Sequence, residues 1–220
     1  MLEVIIDTET TGLSTTDNHR IVEIGCIELE NQIATNKIFH KYINPERSVS
    51  EEAFKVHGYS NQFLSKQKKF SEISEDFLNF IKGKKLVIHN APFDLSFLNY
   101  ELRLLKQKII QKSEVIDTLE IARQKYPGSQ NSLDALCKRF NVDNSKREKH
   151  NAIMDCQLLK EVYINLLDQK TPKLNLEIEN FTTLKIVKEL KTLESKKRKI
   201  IKPSQNELEL HKKYLKADLA

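Results

Sequence analysis

The chain has 220 residues, 39% of them hydrophobic, and a formal net charge of +5, which suits one well-cored domain with an appendage. No apolar run approaches the roughly 18 residues of a membrane span, and the start Met1-Leu2-Glu3 lacks the basic and apolar regions of a secretory signal, so a cytoplasmic protein is expected. Residues 1–170 carry 24 basic and 24 acidic side chains while residues 171–220 carry 12 and 7, which places the whole excess in a basic tail.

The apolar run of "LEVIIDTE" (2–9) is too short for a helix and reads as a central strand. "RIVEIGCIELE" (20–30) alternates Ile21 and Glu23 against Val22, Ile24 and Cys26, the pattern of a half-buried strand. "IATNKIFHKYIN" (33–44) is a third strand, stopped by Pro45, and the three suggest an antiparallel meander. Phe77, Leu78 and Ile81 place a helix over 74–82 with Gly83 as its stop. "KLVIHN" (85–90) is the fourth strand; "APFDLSFLNYELRLLK" (91–106) is a helix with Asn90 as N-cap and Pro92 in its first turn. "SEVIDTL" (113–119) is the fifth strand, and helices follow near 119–125, 133–140 and 152–167. Strands first and strand–helix alternation after them predict an α/β domain over residues 1–167, with one mixed five-stranded sheet flanked by helices. Cys26, Cys137 and Cys156 are far apart, show no CxxC spacing and read as reduced core residues.

Residues 168–180, with few large apolar side chains, read as a linker. In residues 181–220, Phe181, Leu184, Val187, Leu190 and Leu193 form one amphipathic stripe and Leu208, His211 and Leu215 a second. They flank "SKKRK" (195–199), which fits a solvated helix end or a nucleic-acid contact. Short helices of this kind are marginal alone in water, and docking on a partner groove is the simplest use of their apolar faces.

Strand periodicity projects Asp7 and Glu9 to one side. Two carboxylates held together repel unless a cation neutralises them, and the hydroxyl-rich surroundings suit a hard divalent ion, Mg²⁺ or Mn²⁺. The pair alone is equally consistent with carboxylates that cap a turn. Asp94 falls in the first turn of a helix just beyond a buried strand, where the helix dipole also favours an acid. His150 precedes Asp155 by five residues, a separation that turns about 140° on a helix. A shared site therefore needs His150 on the loop and Asp155 in the first turns; an ordinary surface histidine is the other reading. His89, at a strand end, reads as a hydrogen-bonded histidine and not a ligand.

Taken together, "DTETTGL", "HNAPFD" and "HNAIMD" resemble the three motifs of the DnaQ-like, or DEDDh, 3′–5′ exonucleases, which have a ribonuclease H-like fold. "HRIVEIG", "SEEAFKVHG", "NSLDALCKRFNVDNSKREKH" and "DCQLLKEVY" extend the similarity over roughly residues 2–165, to the epsilon-type proofreading subunits of bacterial DNA polymerase III. The resemblance implies that Asp7, Glu9, Asp94 and Asp155 hold two divalent metal ions, Mg²⁺ or Mn²⁺, and that His150 is the general base. It implies that Asp7, Glu9, Thr10, Gly12, Leu13, Glu52, His57 and Asp155 contact the terminal nucleotide. Gly12 is expected to supply a turn that a bulkier residue would strain.

The implied partners are a single-stranded or frayed DNA 3′ end, the polymerase III alpha subunit through residues 181–220, a theta-like subunit and the sliding clamp. For the clamp, "TPKLNL" offers Leu174 and Leu176 but has Thr171 where the family carries Gln. The alternative function is a free-standing DnaQ-like nuclease that trims RNA or single-stranded DNA. A catalytically dead scaffold would not need all five residues intact.

Overall fold

The computed structural model describes residues 1–145, 149–167 and 203–217, with side chains to 214 in the last stretch. Its five-stranded sheet has the order β3-β2-β1-β4-β5. β1 (Leu2–Thr10), β2 (Ile21–Glu30) and β3 (Ile33–Tyr42) form the expected antiparallel meander. β4 (Lys85–Ile88) and β5 (Val115–Asp117) add in parallel beyond β1. The carboxyl ends of β1, β4 and β5 thus open on one edge, the place where α/β sheets hold ligands.

The apolar run of β1 is continuous because helices cover both faces of the sheet. Val4, Ile6, Ile24 and Ile88 share a core with Phe70, Ile73 and Phe77 of α3 (Phe70–Ile81) and with Phe97, Leu98 and Leu102 of α4 (Ala91–Leu104). On the other face Ile5, Ile27, Leu29 and Val87 pack on Cys156, Leu159 and Tyr163 of the helix Ala152–Leu166. α1 (Glu51–His57) and α2 (Asn61–Leu64) lie between the meander and α3 in sequence. α5 (Thr118–Lys125) and α6 (Leu133–Phe140) precede that long helix, α7, and share a third cluster with it. The three cysteines are buried and unbridged.

Several expectations need correction. β2 is not half-buried: every residue from Ile21 to Leu29 is buried, because α7 covers the face that alternation assigns to water, Glu23 included, while Glu28 on the other face is held by Lys84, Lys37 and Thr35. α3 begins at Phe70, four residues earlier than its apolar spacing suggests, where the Lys69 N–H donates to Glu72 Oε2 at 2.8 Å. Asn90 stands at the N-cap of α4 without a side-chain cap, in a left-handed conformation (φ 66°) that asparagine tolerates. Its own N–H donates to Asp117 Oδ1 at 3.1 Å, and Asp117 also accepts from Leu119 N–H at 2.9 Å, capping α5. The β4–α4 and β5–α5 junctions are therefore pinned to each other.

α7 lies directly on the backbone of β2. A Cβ added at Gly25 would sit 2.5 Å from the Ala152 carbonyl carbon and 2.7 Å from Ile153 N. Gly25→Ala should cost about 1–3 kcal/mol, since backbone must move to admit the methyl. Denaturant unfolding measures it, and unchanged stability would show that the helix start is free to retreat.

Among the described residues no helix is long and apolar enough to cross a membrane. Residues 203–217 belong to a separate unit and contain α8 (Gln205–Ala217). Ser204 Oγ accepts from Glu207 N–H at 3.3 Å while Glu207 Oε2 accepts from Ser204 N–H at 2.8 Å, a reciprocal cap. The second tail stripe falls on this helix. The linker, the first stripe, "SKKRK" and the clamp-like "TPKLNL" lie outside the described residues.

Candidate active site

The end of β1 divides its side chains between two layers. Ile5, Asp7 and Glu9 share the face that α7 covers; Val4, Ile6 and Thr8 share the other. Across the strand pair Asp7 lies opposite Gly25 and Glu9 opposite Glu23. Asp94 enters from the opposite side, in the first turn of α4, and its Oδ1 accepts from Thr8 N–H (3.1 Å) and Thr8 Oγ1–H (2.7 Å). Asp155 enters from the first turn of α7.

His150 precedes the Asn151 N-cap, whose side chain accepts from Met154 N–H at 3.1 Å. The His150 N–H donates to Val56 O at 3.2 Å, and its imidazole Nδ1 lies 3.4 Å from Asp155 Oδ2. Donor atoms of Glu9, His150 and Asp155 all lie within 4.8 Å of one another. Asp7 and Asp94 stand outside that tight trio, yet all five side chains line one cavity of about 570 Å³.

Negative charge accumulates here. Burial, followed by Asp94, Glu9, Asp155 and Glu23, pushes the Asp7 carboxyl well above the usual carboxylate range. Burial raises Asp94 to about 7, against the opposing hydrogen bonds from Thr8. Such a set of oxygen donors fits a hard divalent cation, which Asp7, Glu9, Asp94 and Asp155 could hold.

The folded pKa values of Asp7 and Asp94 both lie above those of unfolded carboxyls, so the stability linked to Asp94 is complete below about pH 4 and drains away as pH rises through about 7, and Asp7 shifts in the same direction. With a chelator present, thermal melts from pH 5 to 8 should show falling stability, and added Mn²⁺ should remove the fall. A melting temperature that rises with pH in the chelated protein would contradict this.

A second cavity, of about 400 Å³, adjoins the first and shares Thr8, Glu9 and Phe93 with it; Thr10, Gly12, Leu13, Glu52, Val56 and His57 also line it. Thr10 Oγ1 donates to the Gly12 carbonyl at 2.6 Å. Gly12 sits in a bend without a positive φ, and a bulkier residue there would be strained, as expected. What requires glycine is the His19 ring, 2.3–2.5 Å from where a Cβ would stand. Leu13 is 84% exposed, an apolar side chain held out at the mouth.

Glu52 is exposed on α1, and His57 is its buried last residue. His57 Nδ1 accepts from Tyr59 N–H at 2.9 Å, so the neutral ring carries its proton on Nε2; the ring stacks on Tyr59 at 4.8 Å. Burial lowers its pKa, partly offset by the Thr10 carbonyl. His89 Nδ1 meets Thr118 Oγ1 at 3.0 Å, as expected of a hydrogen-bonded strand-end histidine.

The sequence reading missed Glu23, fully buried, which His40, Tyr59, Asn151 and Ala152 surround. Its one visible signal was a charge inside the apolar run of β2.

The exonuclease family model RNase_T matches residues 4–163. The chain is 47% identical to the DNA polymerase III subunit epsilon of Rickettsia typhi, covering 97% of this chain and 95% of that protein. It is 44% identical to the subunit of the same name from Escherichia coli, over 77% of this chain and 72% of the other. Among solved structures it resembles exonuclease X in complex with 5′-overhanging duplex DNA, at TM-score 0.60 and 25% identity, covering 76% of this chain and 92% of that one. The nuclease domain of 3′hExo, a DEDDh family member bound to rAMP, shares the fold at TM-score 0.66 and 19% identity, over 76% of this chain and 92% of the other.

Proposed function

Because the chain belongs to the RNase_T exonuclease family, and within it to the epsilon subunits of DNA polymerase III, we propose that it proofreads by removing mispaired 3′-terminal nucleotides with two divalent metal ions and a histidine base. The observation that carries this reading is the convergence of Asp7, Glu9, Asp94, Asp155 and His150 on one cavity beside a second, nucleotide-sized one.

Asp7, Glu9, Asp94 and Asp155 would hold Mg²⁺ or Mn²⁺, which when bound supply charge neutralisation at the attacking and leaving oxygens of the phosphodiester. His150 takes the proton of the attacking water, a role that suits imidazole near neutral pH. Asp155, 3.4 Å from its Nδ1, orients the ring.

The terminal nucleoside enters the second cavity, against Leu13, Val56 and Phe93, with Thr10, Gly12, Glu52 and His57 around it. The 3′ end must leave its complement to reach the carboxylates, and a frayed mismatch separates at lower cost, which gives a preference for errors.

The test uses 5′-labelled single-stranded DNA. Stepwise shortening from the 3′ end, lost with EDTA, is expected; shortening in excess EDTA or loss of the label itself would refute it. A marked preference for RNA would move the reading to a free-standing trimming nuclease.

For the partners, residues 181–220 are assigned to the polymerase III alpha subunit, with a theta-like subunit and the clamp as further contacts of the assembly, in the cytoplasm where it replicates DNA. In support, α8 exposes Leu208 (45%), Leu210 (63%) and Tyr214 (65%), apolar side chains that a partner groove would bury. Residues 1–167 are assigned to the nuclease domain and 168–180 to the linker. A fragment ending at 167 should retain exonuclease activity while losing most polymerase binding in pull-downs. An inactive fragment, or one that binds as tightly as the whole chain, would overturn this division.

A further inference from the structure

Glu23 is a carboxylate that neither the metal set nor the base uses. It is 0% exposed and lies opposite Glu9 in the β1–β2 ladder, on the same face of the sheet. A buried charge must be satisfied, and here the donors are specific. Oε1 accepts from His40 Nε2 at 2.7 Å and Asn151 Nδ2 at 3.0 Å. Oε2 accepts from Tyr59 O–H at 2.8 Å and Ala152 N–H at 3.0 Å. Asn151 Nδ2 also reaches Tyr59 Oη at 2.9 Å.

Two of these donors belong to the residues directly after His150, and Ala152 opens α7, whose positive dipole end meets the charge. We infer that Glu23 is a positioning residue: it clamps the start of α7 onto β2, so that His150 and Asp155 stand against Glu9.

The clamp has three supports. At Gly25 no side chain separates the helix start from the strand. The His150 N–H is tied on its other side to Val56 O of α1, so the junction is held between two bonds. Farther along, Cys156, Leu159 and Tyr163 bury α7 in the core. Loosening Glu23 therefore frees the first turn of α7 without detaching the helix, and the cost falls on the reacting geometry. Hydrogen-bond partners that orient ligating side chains in this way typically carry 10–100-fold in activity or metal affinity.

This inference rests on the proposed role of His150. Its test is Glu23→Gln, which turns an amide N–H toward donors that had faced oxygen, with Asn151→Asp added as the complement. An aspartate at 151 accepts from the new amide and still caps Met154 N–H. In Glu23→Gln, kcat on single-stranded DNA should fall roughly 10–100-fold while KM for DNA stays within about twofold. In the chelated protein, amide exchange at Ala152 should quicken. The double variant should recover most of kcat and the slow exchange.

If Glu23→Gln does not fold, Asn151→Ser, which keeps the cap and the carboxylate but drops the Nδ2 bonds, should show the same split between kcat and KM. Full kcat in folded Glu23→Gln, a loss of melting temperature with kcat unchanged, or no recovery in the double variant overturns the inference. So does unchanged kcat in Asn151→Ser. Absence of exonuclease activity in the unmodified protein would instead remove the underlying reading of the site.

Discussion

Asp7→Ala is expected to lower the exonuclease rate by at least about 10³-fold, because losing one anchor of metal-held charge removes several kcal/mol of transition-state stabilisation. The loss should not be a folding defect. Asp7 is pressed upward in pKa by its burial and by Asp94, Glu9, Asp155 and Glu23, so deleting it relieves repulsion in the metal-free protein. The chelated variant should melt at or above the wild-type temperature while its single-turnover rate with saturating metal collapses. A rate within tenfold of wild type would remove Asp7 from the proposed set. A collapse of both rate and stability would mean that the carboxylate mainly holds the fold.

His150→Ala should lower kcat by roughly 10²–10⁴-fold, the usual share of a positioned proton acceptor. The imidazole is 47% exposed on its side chain, and the fold holds residue 150 by its backbone bond to Val56 O. Removing the ring should therefore leave the melting temperature and metal affinity close to wild type. The pH–rate profile should lose its ascending limb, since the group whose deprotonation it reports is gone. An unchanged limb in the variant would show that some other group accepts the proton.

The sequence was most legible where a change of pattern is abrupt. β1 shows as an apolar run broken by Asp7 and Glu9, and Asp94 stands out because Pro92 and a buried strand fix the helix start ahead of it. α1 was missed because seven residues make too short a stripe to read. Its caps were nevertheless present: Ser50 accepts from Ala53 N–H at 3.2 Å, and Gly58 closes the helix at φ 78°. Glu23 was misread for a different reason. Alternation assigns a charge in a strand to solvent, and only the docking of α7, 129 residues away at Ala152, turns that position inward. Gly12 was legible as a position that a bulkier residue would strain, but the crowding group was not, since the approach of His19 is invisible until the loop is closed.

The order of the site's pieces along the chain has a consequence for synthesis. Asp7 and Glu9 leave the ribosome early, but Thr8 meets Asp94 only 86 residues later, and His150 and Asp155 close the cavity near the end of the domain. A nascent chain cannot assemble the trio Glu9, His150 and Asp155 until α7 has emerged and docked. Translation thus imposes a delay on the nuclease: fragments from stalled ribosomes or early proteolysis should carry the first carboxylates and yet leave DNA ends intact.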